Sequence, residues 1–243
     1  GDRMIENEDF VNVPNWLPVT FRINDGEWFD FKRAEFLDFN KHLDFRTGVF
    51  SRRIVVKDAD GKVSEIVSKR IASMADPHIA SMQYQVTPLN YGGKITIRTG
   101  IDGDIINNNV ERYKQLNQQH LKPVTEGIDG NMLWVCVETV QSAIKVAEAA
   151  NHTVFVNRKP LSVTGRQFTG RSSAFLEYEV SVDQGIPVML DKYVAIFTSR
   201  HDDVNDPLAE AKTAIAVNPG FSHVMAKSSK AWQELWEKID VVI

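Results

Sequence analysis

GVFSRRIVVKDADGKVSEIVSKRIASM, residues 48–74, is the stretch on which the fold class turns. Two β-branched runs flank Asp60-Gly61, and Ile54 and Val56 alternate with Val55 and Lys57. A period of two sends successive side chains to opposite faces of a pleated strand, and Asp-Gly suits a tight turn, so the stretch reads as an antiparallel hairpin. Working outward, VTFRI (19–23) alternates in the same way, and Asp25-Gly26 before WFDF (28–31) predicts a second hairpin. Further strands are expected over 79–88, 93–102, 131–140, 152–159, 174–182 and 187–199. About ten or more strands, broken by Gly, Asn and Asp, point to a large antiparallel sandwich.

Two segments are less one-sided. SAIKVAEAANH (142–152) has the alanine content of a helix, yet the alternation of Ile144 and Val146 favours a strand that ends at Asn151. ERYKQLNQQHL (111–121) suits a helix or a long ordered loop equally well. Beyond Arg200 the pattern changes. Asp206 is placed to cap a helix, Pro207 to occupy its first turn, and Ala209, Ala211, Ala214 and Ile215 to form its apolar stripe. Asn218-Pro219-Gly220 then interrupts it, and a second helix follows, with Val224, Ala231, Trp232, Leu235 and Trp236 at spacings of three and four. The chain therefore divides into a β-sandwich over 1–200 and a helical segment over 201–243. A helix carrying two tryptophans must dock, and its own sandwich is the simplest place.

Composition narrows the chemistry. With 43% hydrophobic and 25% charged residues, 243 residues can bury a full core, and a net charge of -4 lacks the basic footprint of a nucleic-acid binder. Cys136 is the only cysteine, so there is no internal disulfide and no Cys-x-x-Cys motif, and its place in MLWVCVETV is that of a buried, inert thiol. No apolar run is long enough to span a membrane, and the start has no signal-peptide core, so a soluble, cytoplasmic protein is expected.

The chain has no phosphate-binding or dinucleotide glycine motif, no Gly-x-Ser-x-Gly elbow and no paired-histidine metal spacing among His42, His78, His120, His152, His201 and His223. No metal or organic cofactor is expected. Asp76-Pro77-His78 is the sharpest polar cluster: His78 and Asp76 suit a base and its orienter, or a turn and strand cap, and the second reading is preferred. Asn107, Asn108 and Asn109 suit sugar hydroxyls, but left-handed turn positions suit them better. Trp16, Trp28, Phe29 and Phe31 have the spacing of hairpin core more than of a sugar platform. Glycoside chemistry needs a carboxylic acid facing a second carboxylate or an external nucleophile. No carboxylate is set apart by its neighbours: Glu177 and Glu179 alternate along a strand face, and ENED (6–9) reads as a solvated start.

Taken together, VNVPNWLPVTFRI (11–23), LDFRTGVFSR (43–52), SMADPHIA (73–80), LNYGGKITIRTGIDG (89–103), ERYKQLNQQHL and KYVAIFTSR (192–200) resemble the N-terminal domain of glycoside hydrolase family 65. That family comprises maltose, kojibiose, nigerose and trehalose phosphorylases and some trehalases. SHVMAKSSKAWQELWEKIDVVI (222–243) resembles the linker into the family's (α/α)6 catalytic barrel. The resemblance implies a galactose-mutarotase-like β-supersandwich followed by linker helices, in a parent enzyme that inverts an α-glucosidic bond. It also implies that the general-acid glutamate and the site for phosphate, the co-substrate of a phosphorylase, lie in a barrel beyond Ile243. No family catalytic residue then maps onto this chain, which by itself is expected to be inactive. The partners implied are that barrel, an α-glucosyl disaccharide and a possible second copy. Trp232, Leu235 and Trp236 become the candidate face toward the barrel. Two other readings compete. A free-standing carbohydrate-binding sandwich would stack a glycan on Trp16, Trp28 or Trp134. A mutarotase-like enzyme would need a His and a Glu converging on the concave face, for which His78 and Glu177 are the nearest candidates.

Overall fold

The computed structural model describes residues 11–107 and 118–239. The hairpin at 48–74 is present as β3 (Val49–Lys57) and β4 (Val63–Ala72), with Lys57 opposite Val63 across the Asp60-Gly61 turn. Among the described residues it belongs to a nine-stranded antiparallel sheet. The order is β2 (Glu35–Asp44), β3, β4, β5 (Ile79–Pro88), β13 (Val188–Thr198), β9 (Lys145–Val156), β8 (Met132–Thr139) and β7 (Leu121–Asp129), with β10 (Lys159–Leu161) also paired to β9. A four-stranded sheet faces it, in the order β1 (Val19–Ile23), β6 (Gly93–Asp102), β12 (Ser173–Val182), β11 (Arg166–Gly170). The alternation places one side of each strand in the space between the sheets. Phe21, Ile95, Ile97, Leu176 and Tyr178 from the small sheet meet Ile54, Ile66, Val86, Leu133, Val154 and Leu190 from the large one.

A second apolar layer lies on the outer side of the large sheet. Val49, Ile71, Ile79, Ala147, Ala149, Tyr193 and Ala195 are covered there by Ala211 and Ile215 of α1 (Pro207–Ala216) and by Phe221 and Val224 of α2 (Phe221–Ile239). The Asp206 carboxylate caps α1, accepting from the N–H groups of Leu208 and Ala209 at 3.0 and 3.2 Å. Buried Asp191 on β13 accepts the Phe221 N–H at 3.2 Å, tying the first turn of α2 to the sheet. Ser228 accepts the Met74 N–H at 3.0 Å further along the same helix.

The expected strands at 79–88 and 93–102 are β5 and β6, and those at 131–140, 174–182 and 187–199 lie within a residue of β8, β12 and β13. Three expectations are corrected. Asp25-Gly26 does form a turn, with the Gly26 N–H donating to Ile23 O at 3.0 Å, but no β1–β2 hairpin follows. β1 pairs with β6 and β2 with β3, because the aromatic segment between them closes the sandwich edge: Phe29 stacks on Phe21 at 5.1 Å. Nor does the strand around Ile144 end at Asn151. β9 continues to Val156, with the Asn151 side chain turned to the helix layer and donating to Ile215 O at 2.9 Å, so the separate strand expected over 152–159 is the second half of β9 and ends before the turn at Asn157 and Arg158. β2, β7, β10 and β11 are strands beyond those read from sequence, and Pro123 sits at an irregularity of β7, a strand at the sheet edge where the missing N–H is tolerated. The segment 111–121 lies outside the described residues up to position 117, as do Asn108, Asn109 and ENED.

Candidate functional site

The densest buried chemistry is between the sheets. β9 and β13 are adjacent, and on their inner faces Glu148, His152 and Lys192 interrupt rows of Val, Ala and Leu. The Lys192 Nζ donates to Trp16 O and to Gly100 O, both at 2.6 Å, and so ties the large sheet to β6 and to the segment before β1. His152 is held by Asn131 O at its Nδ1 (2.9 Å) and by the Thr99 hydroxyl at its Nε2 (3.3 Å). Neither oxygen of Glu148 has a hydrogen-bond partner. Burial governs all three groups. It raises the Glu148 carboxyl well above the ordinary range, against the pull of Lys192. It lowers Lys192 to about 7, against the pull of Glu148, and lowers His152 to about 3, with the Lys192 charge adding to the effect. A neutral amine has two N–H groups, which match its two carbonyl acceptors.

Glu148 corrects the reading that no carboxylate is set apart by an apolar surround. An acid of raised pKa in an apolar setting is the electrostatic pattern of a general acid. Glu148 and His152 are sealed between the sheets, however, at 0% and 3% exposure, so no sugar reaches them. The signal was in the sequence: one Glu within VAEAA, on a strand buried on both faces.

The residues singled out from sequence lie elsewhere and do not converge. Asp76 accepts the His78 N–H at 2.9 Å in a turn. The His78 ring stacks on Phe197 at 4.1 Å, meets His201 edge-on and hydrogen-bonds Ile196 O at 2.9 Å. Glu177 is on the outer face of the small sheet, 3.8 Å from both Arg22 and Arg98, whose guanidiniums lie over Trp28. The His78 and Glu177 pair of the mutarotase-like reading is thus not assembled, and the inner-face His and Glu are His152 and Glu148. Trp16 packs against the core, and Trp134 lies under the Lys212 ammonium at 3.8 Å. Asn107 accepts the Asn12 N–H at 2.8 Å. A cleft of about 420 Å³ between the 24–34 segment and the β3–β4 turn carries Trp28, Glu27, Asp58 and Lys62. Its polar groups largely pair with one another: Arg33 with Glu27, Lys62 with Asp60 at 3.1 Å, and Asp58 with the N–H groups of Asp60 and Lys62 at 2.9 Å. Cys136 is buried, which raises its thiol pKa.

Trp232 and Trp236 stack on each other at 6.2 Å and are half-buried, as is Leu235. The indole N–H of Trp236 donates to Phe45 O at 3.1 Å. Trp232 lies against Gly48, where φ is +71° and a Cβ would collide with the indole. Both tryptophans therefore pack on the turn between β2 and β3.

The described residues thus form a two-sheet scaffold with helices on one face, in which the residues singled out from sequence do not converge on one site. Residues 2–235 match the family described as "Glycosyl hydrolase family 65, N-terminal domain". The chain belongs to this family. It is 30% identical over 234 residues to an uncharacterized glycosyl hydrolase of Mycobacterium tuberculosis, covering 96% of this chain and 18% of that protein. It is 28% identical over 244 residues to a kojibiose phosphorylase of Caldanaerobacter subterraneus, covering 97% of this chain and 31% of the relative. The fold matches that of a putative kojibiose phosphorylase from the human microbiome with a TM-score of 0.76 at 16% identity, over 93% of this chain and 28% of the other. This family 65 domain thus spans less than a third of the length of these relatives. Among its described residues no helix is long and apolar enough to cross a membrane, and no cluster of three or more His, Cys, Asp or Glu is arranged to hold a metal ion.

Proposed function

We propose that this chain is the non-catalytic scaffold of an inverting disaccharide phosphorylase or hydrolase that acts on α-glucosidic bonds in the cytoplasm. The observation that carries the reading is the family match over 2–235, combined with a span of under a third of the relatives' length. In the parent enzyme a barrel glutamate protonates the leaving sugar while phosphate or water attacks the anomeric carbon. The scaffold supports that barrel, through the 201–243 segment as linker, and shapes its rim. Its own carboxylates support the non-catalytic role, since the two whose pKa burial raises, Glu148 and Asp191, are both buried away from any substrate.

The test is to follow the reading frame beyond Ile243 and assay the encoded protein, with phosphate, for glucose 1-phosphate release from maltose, kojibiose, nigerose and trehalose. The expected result is release from at least one disaccharide or, in a hydrolase, free glucose without phosphate dependence. A reading frame that encodes no barrel sinks the proposal, as does turnover by residues 1–243 alone.

A further inference from the structure

The nine-stranded sheet is longer than the helices and the small sheet that cover it, and its β2 end is left bare. Every residue of β2 from Glu35 to Leu43 is exposed, although the strand is ten residues long and pairs only with β3. Phe39 is 52% exposed and Phe45, in the following turn, 72%, with Phe36, Leu37 and Leu43 between 44% and 50%. Phe29, Phe31, Phe36 and Phe39 form a row with ring centres 4.9, 6.2 and 6.3 Å apart, running outward from the core. An unpaired, apolar edge strand of this length is a template for association, and proteins normally cover or blunt it.

Charge is sorted across the same strands. On the outer face Arg53 pairs with Asp38 and Glu65, and Lys57 with Glu35 at 2.5 Å. On the inner face, beside Phe36, Phe39 and Leu43, stand Lys41 opposite Arg52, and Arg70 opposite Phe50, the next inner-face position of β3. Arg52 lies over Phe31 and Arg70 over Phe50, and among the described residues none of the three meets a carboxylate. The Arg52 Nε is buried without a hydrogen-bond partner. A surface of exposed Phe and Leu beside unmatched guanidiniums is complementary to one that is apolar and acidic.

The course of the chain supplies the occupant. Trp232 and Trp236 fasten α2 to the 44–48 turn, so its last described turns reach the end of the sheet at which the bare strand closes. In the kojibiose phosphorylase relative the matched region is 31% of the protein, leaving a body of about twice the size of this domain to be placed. We infer that β2, its turn at Phe45 and the inner faces of β3 and β4 are the docking surface for the catalytic barrel of the same polypeptide, whose contacting surface is apolar and acidic. This rests on the scaffold reading above. It places the contact on Phe36, Phe39, Leu43 and Phe45, whereas Trp232 and Trp236 serve to hold the linker against the turn.

The experiment is hydroxyl-radical footprinting of the protein encoded by the full reading frame, read by mass spectrometry at two protein concentrations. Phe39 and Phe45 are expected to be oxidised about an order of magnitude more slowly than free-surface side chains, as at the core of an interface. That protection should not change with concentration, and Val217, 77% exposed and away from the strand, should remain reactive. Full reactivity of Phe39 and Phe45 in a protein that turns over disaccharide overturns the docking surface while leaving the scaffold reading intact. Protection that appears only at the higher concentration also overturns it, by assigning the strand to a second copy. Absence of an encoded barrel removes the scaffold reading itself, and the docking surface with it.

Discussion

At the centre of the large sheet, β9 and β13 are covered on both faces, by the small sheet within and by α1 and α2 without; at its end, β2 is covered on neither. Both regions belong to one antiparallel sheet, but β9 and β13 are paired on both sides whereas β2 is paired on one, and only the central region buries polar chemistry. There Lys192 and His152 have fixed partners on β6, in the segment before β1 and at Asn131, which ties the two sheets together. At β2 Glu35, Asp38, Asn40 and His42 lie on the outer face and Lys41 on the inner one, all exposed, and the Phe36 and Phe39 rings remain about half in water. The comparison separates residues that make this domain fold from residues that make it useful to something larger.

Substitutions should reproduce that separation. The largest effect is expected for Leu190→Ala at the covered centre, where a wholly buried side chain is lost: about 3 kcal/mol of stability, measured by urea unfolding. A cost below about 1 kcal/mol would show that the inner layer relaxes freely around β13. Lys192→Met keeps the volume but removes the donor for Trp16 O and Gly100 O, and should cost about 2 kcal/mol. If that variant is as stable as the parent, the lysine does not hold the two sheets together.

The same cluster sets an acid limb. The His152 pKa is lowered to about 3 in the folded chain from 6.5, so between these values the unfolded state binds the extra proton. The stability due to neutral His152 is complete above pH 6.5 and is lost as pH falls toward 3, at up to about 1.4 kcal/mol per pH unit. Denaturant titrations of the parent and of His152→Phe across that window should differ in slope; parallel curves would remove histidine from the account. The smallest effect is expected for Phe39→Ser, within about 0.5 kcal/mol in this chain, because the ring is already half in water. A loss of several kcal/mol would mean that β2 belongs to the folding core and would erase the contrast.

Much of the scaffold was legible in the sequence. β5, β6, β12 and β13 follow from alternation bounded by Gly, Asn and Asp, and α1 from its Asp206-Pro207 start, because these signals act within a few residues. β2 was not, since the register shift between Phe36 and Asp38 brings Phe36 and Phe39, three residues apart, to the same face as Lys41 and Leu43, so no period of two survives. The partner of β1 was misread for a related reason: a turn fixes only the local chain reversal, while the sheet was chosen by pairing with a distant segment, Phe21 lying opposite Ile97 and under Phe29. Of the candidate sites, Asp76 and His78 were placed in a turn by their own chemistry, whereas Glu148 and Lys192 gave only the faint cue of lone charges in apolar strands.

By itself, then, the sequence determined the β class, the two C-terminal helices and the family, because periodicity, caps and motif order are properties of neighbouring residues. The tertiary structure decided which charges are buried together, which tryptophans are already in use and which strand is left uncovered. Those outcomes depend on contacts such as Lys192 with Gly100 and Trp236 with Phe45, 92 and 191 residues apart along the chain, and burial is settled only when such distant segments meet.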